Sequence, residues 1–553
     1  YIILKLQNLF QNIFCIFIFF KTFILVYTAR LKSFNTIPQK ATFAQRAKNN
    51  KMKAIEQIVA IQDANMVRTM LTARKQGFKT PLLTLEKQWE PSKHNIFNED
   101  FRPKKRIKVP TGKYDPITQK PIYKDKLVEP VRIAIPAQKS IVNLTVGFLL
   151  MNAVTYKATA HGVDIKKMND KQQKLYDGIM HCYHDNKMKY FDKRLARTLF
   201  KECECAELWY MPTDAEGKLR GEIRVQLLSP SNGDKLYPHF NDFHIMDGFA
   251  REYYVYDELG KSELHFDVYT DRLCYQYTNI DGAGWKLISA LPHGFTKVPV
   301  VYYRQDQAEW EDVQWAIERV ETCISNWGDT NDYFGTPKYF VKGRLEGFAE
   351  KGEQGAVFQG GADASMNVLS WDKSPESVKG EIAYLFNIIY SFTSTADISF
   401  ENMKTLGSNT SGAAIRLMFT APYMKADLKT EMFGEMFTRR CNIVANGICN
   451  TGAYVKGIDQ SVAENIDFEP VFKPYLPKND VEMLQLITSS NGGAKSTSNR
   501  RAIELNPLND DPDKVEEEIK EEQQEALAQQ AALSGLGSVA SGEQSVSNEE
   551  EEE

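Results

Sequence analysis

Cysteine is sparse: eight residues in a chain of 553, at positions 15, 182, 203, 205, 274, 323, 441 and 449. They are scattered and contain no Cys-x-x-Cys pair, so a small-domain disulfide framework is excluded and reduced thiols in an intracellular setting are expected. No Gly-x-x-x-x-Gly-Lys-Ser/Thr loop occurs, which argues against an ATPase motor. The stretch Ile13–Tyr27 is apolar apart from Lys21 and Thr22, but it is shorter than the roughly 20 residues a membrane span needs. Residues 1–51 contain eight Lys or Arg but no Asp, Glu or Met. A signal peptide or anchor is one reading of basic residues ahead of an apolar core. The preferred reading is upstream DNA translated in frame, because Ile, Phe, Lys, Asn, Leu and Tyr are the residues of AT-rich codons. Met52 is then the expected start, and no membrane partner is expected.

What is present is an ordinary globular composition, 42% hydrophobic and 25% charged, enough for several subdomains. The net charge of −4 is unevenly spread. Asp510–Glu553 holds 15 acids and two bases, a balance of −13 that leaves +9 on the other 509 residues. An acidic end of this kind is expected to be solvated. Ala54–Gln76 reads as a helix. Pro81–Pro136 reads as irregular and basic, with Lys104, Lys105, Arg106 and Lys108 clustered. Ile141–Leu150 is a core run, and Lys167–Leu208 is mostly helical. Residues 222–303 are β-rich, with a hairpin signal at Asp281-Gly282.

Two apolar stripes follow. Trp310, Val313, Ile317, Val320, Ile324 and Trp327 alternate three and four apart on a helix expected over 307–335. Val378, Ile382, Leu385, Ile389 and Phe392 do so on a second helix over 373–395, opened by Ser374-Pro375. Between them lies a glycine-rich insert, 336–372, with short apolar pieces at Tyr339–Val341 and Ala356–Phe358. A Ser/Thr/Asn/Gly loop, 396–411, precedes a long helix over 412–448, with a kink expected at Pro422. Phe468–Phe472 suggests a strand; 480–487, 498–505 and 513–530 suggest helices.

This order of parts resembles the portal proteins of tailed bacteriophages, in the branch typified by Bacillus siphophage portals. Lys297-Val-Pro-Val-Val-Tyr302 is similar to that family's last wing strand. Asp306-Gln-Ala-Glu309 reads as a capping box opening the first stem helix, and Ser325-Asn-Trp-Gly-Asp-Thr-Asn-Asp332 resembles the pattern near its end. Asp397-Ile-Ser-Phe-Glu401 through Ser408-Asn-Thr-Ser-Gly-Ala-Ala414 resembles the tunnel loop and the start of the kinked helix. Asn506-Pro507 and Asp511–Glu518 resemble the crown segment. Each motif is weak alone; their order and spacing, from about Ile135 to Gln524, carry the resemblance. Residues 1–51 have no counterpart, and Pro81–Tyr123 is longer and more basic than the family pattern.

The resemblance implies an α+β portal fold: an α/β wing (52–306 with a return at 449–475), a two-helix stem, a small α/β clip, a tunnel loop, a long kinked helix, a helical crown (476–530) and an acidic tail (531–553). It implies a ring, typically of twelve copies, at one capsid vertex of the virion, assembled in the host cytoplasm. Its implied partners are double-stranded DNA without sequence specificity, the terminase large subunit, the major capsid or scaffolding protein and a head–tail adaptor; no cofactor is implied.

The two stripes, Trp310 to Trp327 and Val378 to Ile389, are the expected subunit-packing residues, since a lone stem would expose them. A conduit needs a sparse basic lining, because each neutralised phosphate adds affinity. The channel candidates are Lys373, Lys379, Asp397, Asn402, Lys404, Ser408 and Asn409; the partner-facing clip candidates are Lys338, Lys342 and Arg344. The alternatives are another virion structural protein, such as a minor head or adaptor protein, and a zinc-dependent enzyme using His181, His184, Cys203 and Cys205. The acidic pairs Glu309/Asp312 and Asp397/Glu401 read as cap and loop, not as a catalytic pair.

Overall fold

The computed structural model describes residues 54–540, except residues 62, 74, 161–162, 165–168, 214–220, 280–281, 283, 335–337, 343–364, 370–374, 398–416, 475–479, 493–495 and 510. The chain opens with α1 (Ile55–Val59) and α2 (Ala64–Thr72). The single helix expected over 54–76 is broken because Asp63 caps α2, its carboxylate accepting from the Asn65 and Met66 amides. Next come α3 (Leu82–Trp89), an antiparallel ribbon of β1 (Lys105–Tyr114) and β2 (Pro121–Val128), α4 (Ala137–Leu150), β3 (Thr155–Ala160) and β4 (Val163–Asp164). The expectation of an irregular 81–136 is therefore corrected: Lys and Val/Ile alternate on β1, but both faces are exposed, so no polar/apolar contrast marks the strand.

Then follow α5 (Asp170–Asp185), α6 (Met188–Glu202), β5 (Glu204–Tyr210), β6 (Arg224–Leu228), β7 (Lys235–Phe240), β8 (Met246–Tyr256), β9 (Ser262–Tyr269), β10 (Leu273–Asn279), β11 (Lys286–Pro292) and β12 (Val300–Arg304). Helix therefore gives way to strand at Glu204, four residues before the expected end at Leu208. Strands β7 to β11 form a five-stranded antiparallel meander, and β12-β5-β6 a second sheet. The β10–β11 hairpin turns through Gly282, whose φ of +75° suits glycine. Gly248 lets α1 lie directly on β8, since a Cβ there would sit 2.4 Å from Ile55.

Helix α7 (Gln314–Phe334) follows a 3-10 turn at Glu311–Val313. It starts seven residues later than expected, and the capping-box reading is corrected: the Glu309 carboxylate turns away to Lys425 and Lys429. The insert contributes β13 (Lys338–Lys342) paired with β14 (Ser365–Leu369); Ala356–Phe358 lies outside the described residues. Helix α8 (Pro375–Thr393) has proline at its first position, as expected. Helix α9 (Thr420–Thr451) is preceded by a helical Leu417-Met418 and a break at Phe419. Pro422 has no N–H for the Met418 carbonyl, which places the interruption there and not in mid-helix.

The chain ends with α10 (Gln460–Glu464), β15 (Asp467–Val471) paired with β3, α11 (Asp480–Asn491), α12 (Asn499–Leu505) and α13 (Pro512–Ala540). The α13 backbone runs ten residues into the segment expected to be an acidic tail. Burial explains the architecture. The main core joins α3 to α9 through Leu85, Val142, Leu149, Leu195, Trp209, Trp310 and Phe433. A satellite core fixes α1 and α2 on the meander, and a third lies between the two larger sheets. Among the described residues no helix is long and apolar enough to cross a membrane.

Candidate assembly interface and channel-lining positions

The stripe of α7 is not an open seam. Trp310, Val313, Ile317 and Val320 are buried within the subunit. The Trp310 ring lies 5.7 Å from that of Trp89 and its indole N–H donates to Gln88 at 3.0 Å. Leu385 and Ile389 of α8 are buried too, while Ile324, Trp327, Val378 and Ile382 are half-buried. The expectation that a lone subunit exposes these stripes is therefore corrected. A 3/4 spacing marks the buried face of a helix, and here α7 and α8 bury much of that face in their own subunit. Among the large apolar groups left in solvent are Phe392, the last member of the α8 stripe, with Trp315 on α7, Tyr384 on α8, Leu417 and Met418 before α9, and Met424 and Leu428 on its first turns, each between 55% and 76% exposed. Sequence reasoning scored Phe392 within its stripe but missed the others: Trp315 and Tyr384 sit one or two positions off the stripes, and no stripe was scored on 417–428.

Three elements meet where α8 ends. Glu309 is buried between the ammonium groups of Lys425 at 2.7 Å and Lys429 at 2.5 Å. Burial alone would raise its carboxyl; the two lysines hold it below the usual carboxylate range instead. Lys425 also donates to the Thr393 carbonyl at 2.9 Å, and burial lowers its ammonium. One lysine thus ties the segment before α7, the end of α8 and the start of α9. The i, i+4 pair Lys425/Lys429 was the available sequence signal.

Of the channel candidates, Asp397 is half-buried just past this junction. Lys379 is exposed on α8 with Glu376 at 3.4 Å. Lys342 is exposed on β13; Lys338 is on the same strand, its side chain outside the described residues. Lys373, Asn402, Lys404, Ser408, Asn409 and Arg344 all lie outside the described residues.

A second buried centre went unforeseen. Arg440 of α9 is fully buried, chelates Glu207 of β5 through two nitrogens and lies 2.8 Å from Asp192 of α6. Tyr303 and Trp209 also donate to Glu207, at 2.6 and 3.0 Å. Burial, with the Glu207 charge, pushes the Asp192 carboxyl up to about 6 against the pull of Arg440.

The zinc alternative finds no convergent ligands. His181 and His184 are exposed on α5, whereas Cys203 and Cys205 are buried, and burial pushes the Cys203 thiol up to about 12. Among the described residues no group of three or more His, Cys, Asp or Glu is placed to hold a metal ion.

His94 anchors the segment before the β1–β2 ribbon. Its Nδ1 lies 2.6 Å from Glu321 Oε1 and its Nε2 2.7 Å from the Gln88 carbonyl. Both partners can accept, an arrangement that favours the imidazolium, which donates from both ring nitrogens. Burial lowers its pKa, but Glu321, the Gln88 carbonyl and Glu318 together leave it raised. A raised histidine stabilises fully below about 6.5, and that stability is lost as pH climbs through the folded-state value. His94→Gln is expected to cost about 2–3 kcal/mol at pH 6 and clearly less at pH 9. Urea midpoints at the two pH values check this; an equal cost at both contradicts it.

A family model described as "Phage portal protein, SPP1 Gp6-like" matches residues 79–529. No curated protein matches. Among solved structures, a chain from the neck of an empty GTA particle computed with C6 symmetry is 12% identical with a TM-score of 0.35, covering 67% of this chain and 89% of its own. A chain from the neck of a native GTA particle computed with C12 symmetry is 12% identical with a TM-score of 0.34, covering 67% and 88%.

Proposed function

The chain belongs to the SPP1 Gp6-like family of phage portal proteins, and from that premise we propose that copies of it close into a ring at one capsid vertex, through which double-stranded DNA enters and leaves. The family is a structural one, and no residue is assigned a catalytic role. The observation that carries the ring is the set of exposed apolar groups around the α7–α8–α9 junction, from Trp315 to Leu428. Soluble monomers rarely leave so much apolar surface open on one group of helices. Burying four of the seven gains about 6–12 kcal/mol gross, ahead of the costs of association. Head-to-tail contact, repeated to closure, covers the patch on every copy.

In this reading α7 and α8 are the stem, β13 and β14 belong to the clip, α9 is the long kinked helix and α11 to α13 form the crown. The ring holds about twelve copies and sits at the portal vertex of the virion after assembly in the host cytoplasm. Asp397, Asn402, Lys404, Ser408 and Asn409 belong to the tunnel loop, and with Lys373 and Lys379 they face the DNA. Lys338, Lys342 and Arg344 face the terminase large subunit and later the head–tail adaptor; the rim meets the major capsid or scaffolding protein. The Lys297–Tyr302 and Ser408–Ala414 patterns favour the Bacillus siphophage branch.

Mass photometry and negative-stain microscopy test the ring directly: particles near twelve subunits with a central hole are expected, and a stable monomer at high concentration sinks the reading. The patch has its own test. Met424→Arg with Leu428→Arg is expected to shift particles to monomers. The fold should stay within about 0.5 kcal/mol of wild type, because both side chains are exposed. Unchanged rings would remove the patch from the interface.

A further inference from the structure

Among the described residues the β1–β2 ribbon pairs with no third strand. Residues 104–128 carry eight Lys or Arg and two Asp, a balance of +6. Lys108, Lys113, Lys120, Lys124 and Lys126 make no ion pair among the described residues. The pairing of Ile107 with Lys126 and Val109 with Lys124 puts these four, with Lys105 and Val128, on one face that holds no acid. Apolar groups are exposed as well: Ile107 at 43%, Leu127 at 61% and Ile117, at the turn, at 91%. A lone two-stranded ribbon is marginal in water.

Its root, in contrast, is fixed. Asp329 of α7 binds Arg102, Lys105 at 2.6 Å and the Val131 amide at 2.8 Å. Asn326 accepts from Arg102 at 2.8 Å, and Ser325 from the Ile133 amide at 2.9 Å. The ribbon therefore leaves the stem in a set direction, and among the described residues no third strand joins it.

We infer that the ribbon is a strap that crosses the stem of a second copy of this chain, its Lys124/Lys126 face lying on α8 of the neighbour. This rests on the ring reading and adds a second contact to it. Charge supports the choice: 311–334 and 375–393 together hold eight acids and two bases, and with Asp329 taken by the ribbon's own root and Glu321 by His94 a balance of −4 remains to face the basic ribbon. Glu376, Glu381 and Tyr384 are exposed on α8, where Glu376 lies 3.4 Å from Lys379 and Glu381 2.6 Å from Arg319 of α7. Length supports it too, since ten strand residues reach about 34 Å and two packed helices present a width of about 20 Å. A nucleic acid would use the lysines but leave Ile107 and Val128 of the same face in water, so a protein surface fits better.

A charge swap in the full chain tests the strap, with assembly followed by mass photometry over a dilution series. Lys124→Glu with Lys126→Glu is expected to move ring dissociation to concentrations at least tenfold higher, with the Tm of the dissociated subunit unchanged. Adding Glu376→Lys and Glu381→Lys to the same chain should restore assembly to within about threefold. Rings from the wild type and undisturbed rings from the first variant overturn the strap and leave the ring reading standing. Loss without rescue overturns α8 as its seat. Intact rings that retain less duplex DNA overturn it in favour of a polyanion. A wild type that forms no ring fails the ring reading itself.

Discussion

Arg440→Met is expected to be the most damaging single change in the body of the subunit, costing about 3–5 kcal/mol. Removing one member of a buried ionic cluster strands the others. The two left behind are the carboxylates of Asp192 and Glu207, and both are buried. Methionine keeps most of the volume and the contact with the Phe437 ring, over which the guanidinium now lies at 3.8 Å, so the loss reports charge and not a cavity. In thermal terms this is a fall in Tm of about 6–15 °C, read at one fixed concentration because assembly also shifts Tm. Asp192→Asn makes the opposite case. A folded-state pKa raised to about 6 means that Asp192 supports the fold fully below about 4, and that this support fades as pH climbs past 6. The asparagine variant should therefore match or exceed wild type at pH 8, with a flatter stability profile between pH 5 and 8. An Arg440→Met protein within 1 kcal/mol of wild type would show that the cluster holds little of the fold.

How far the sequence could lead depends on the range of the interaction concerned. The meander was legible because β-branched and aromatic runs and their turns are local signals, and Ser374-Pro375 marked the start of α8 for the same reason. The stripes of α7 and α8 were legible as faces but not as to which surface covers them. A spacing of three and four states that something packs there; whether it is Trp89 of the same chain or a neighbouring copy is a three-dimensional fact. Glu309 shows the same failure at closer range. Three residues after Asp306 it satisfied a capping rule, yet two lysines 116 and 120 positions away offered it more. Arg440 meets Glu207 across 233 residues, and no pattern on either segment announces the other. The β1–β2 ribbon hid for a different reason, because a strand exposed on both faces has no core to write an alternation into its sequence.

Glu309→Gln should rank next, at about 3–5 kcal/mol near neutral pH, and its effect should be local. The amide keeps the shape but leaves Lys425 and Lys429 as two partly buried ammonium groups with no anion between them. The pH dependence should then change sign. In the wild type Glu309 has a lowered pKa, so its contribution is present above about 4.5 and is lost on acidification. In the variant Lys425, already lowered by burial, should deprotonate in the folded state first, so stability should rise with pH and recover part of its loss by pH 10. Adding Lys425→Met removes one unpaired charge and is expected to recover more than half of the cost of Glu309→Gln. Hydrogen exchange distinguishes this from general weakening. Protection should fall at the end of α8, where Lys425 holds the Thr393 carbonyl, and in the first turns of α9, while β8 and β9 keep theirs. Those two helix ends flank residues 398–416, the segment proposed to face DNA. A variant that loosens them while the rest of the subunit holds would turn the Glu309 clamp into a handle on that loop; uniform loss of protection would mean that the clamp serves only the fold.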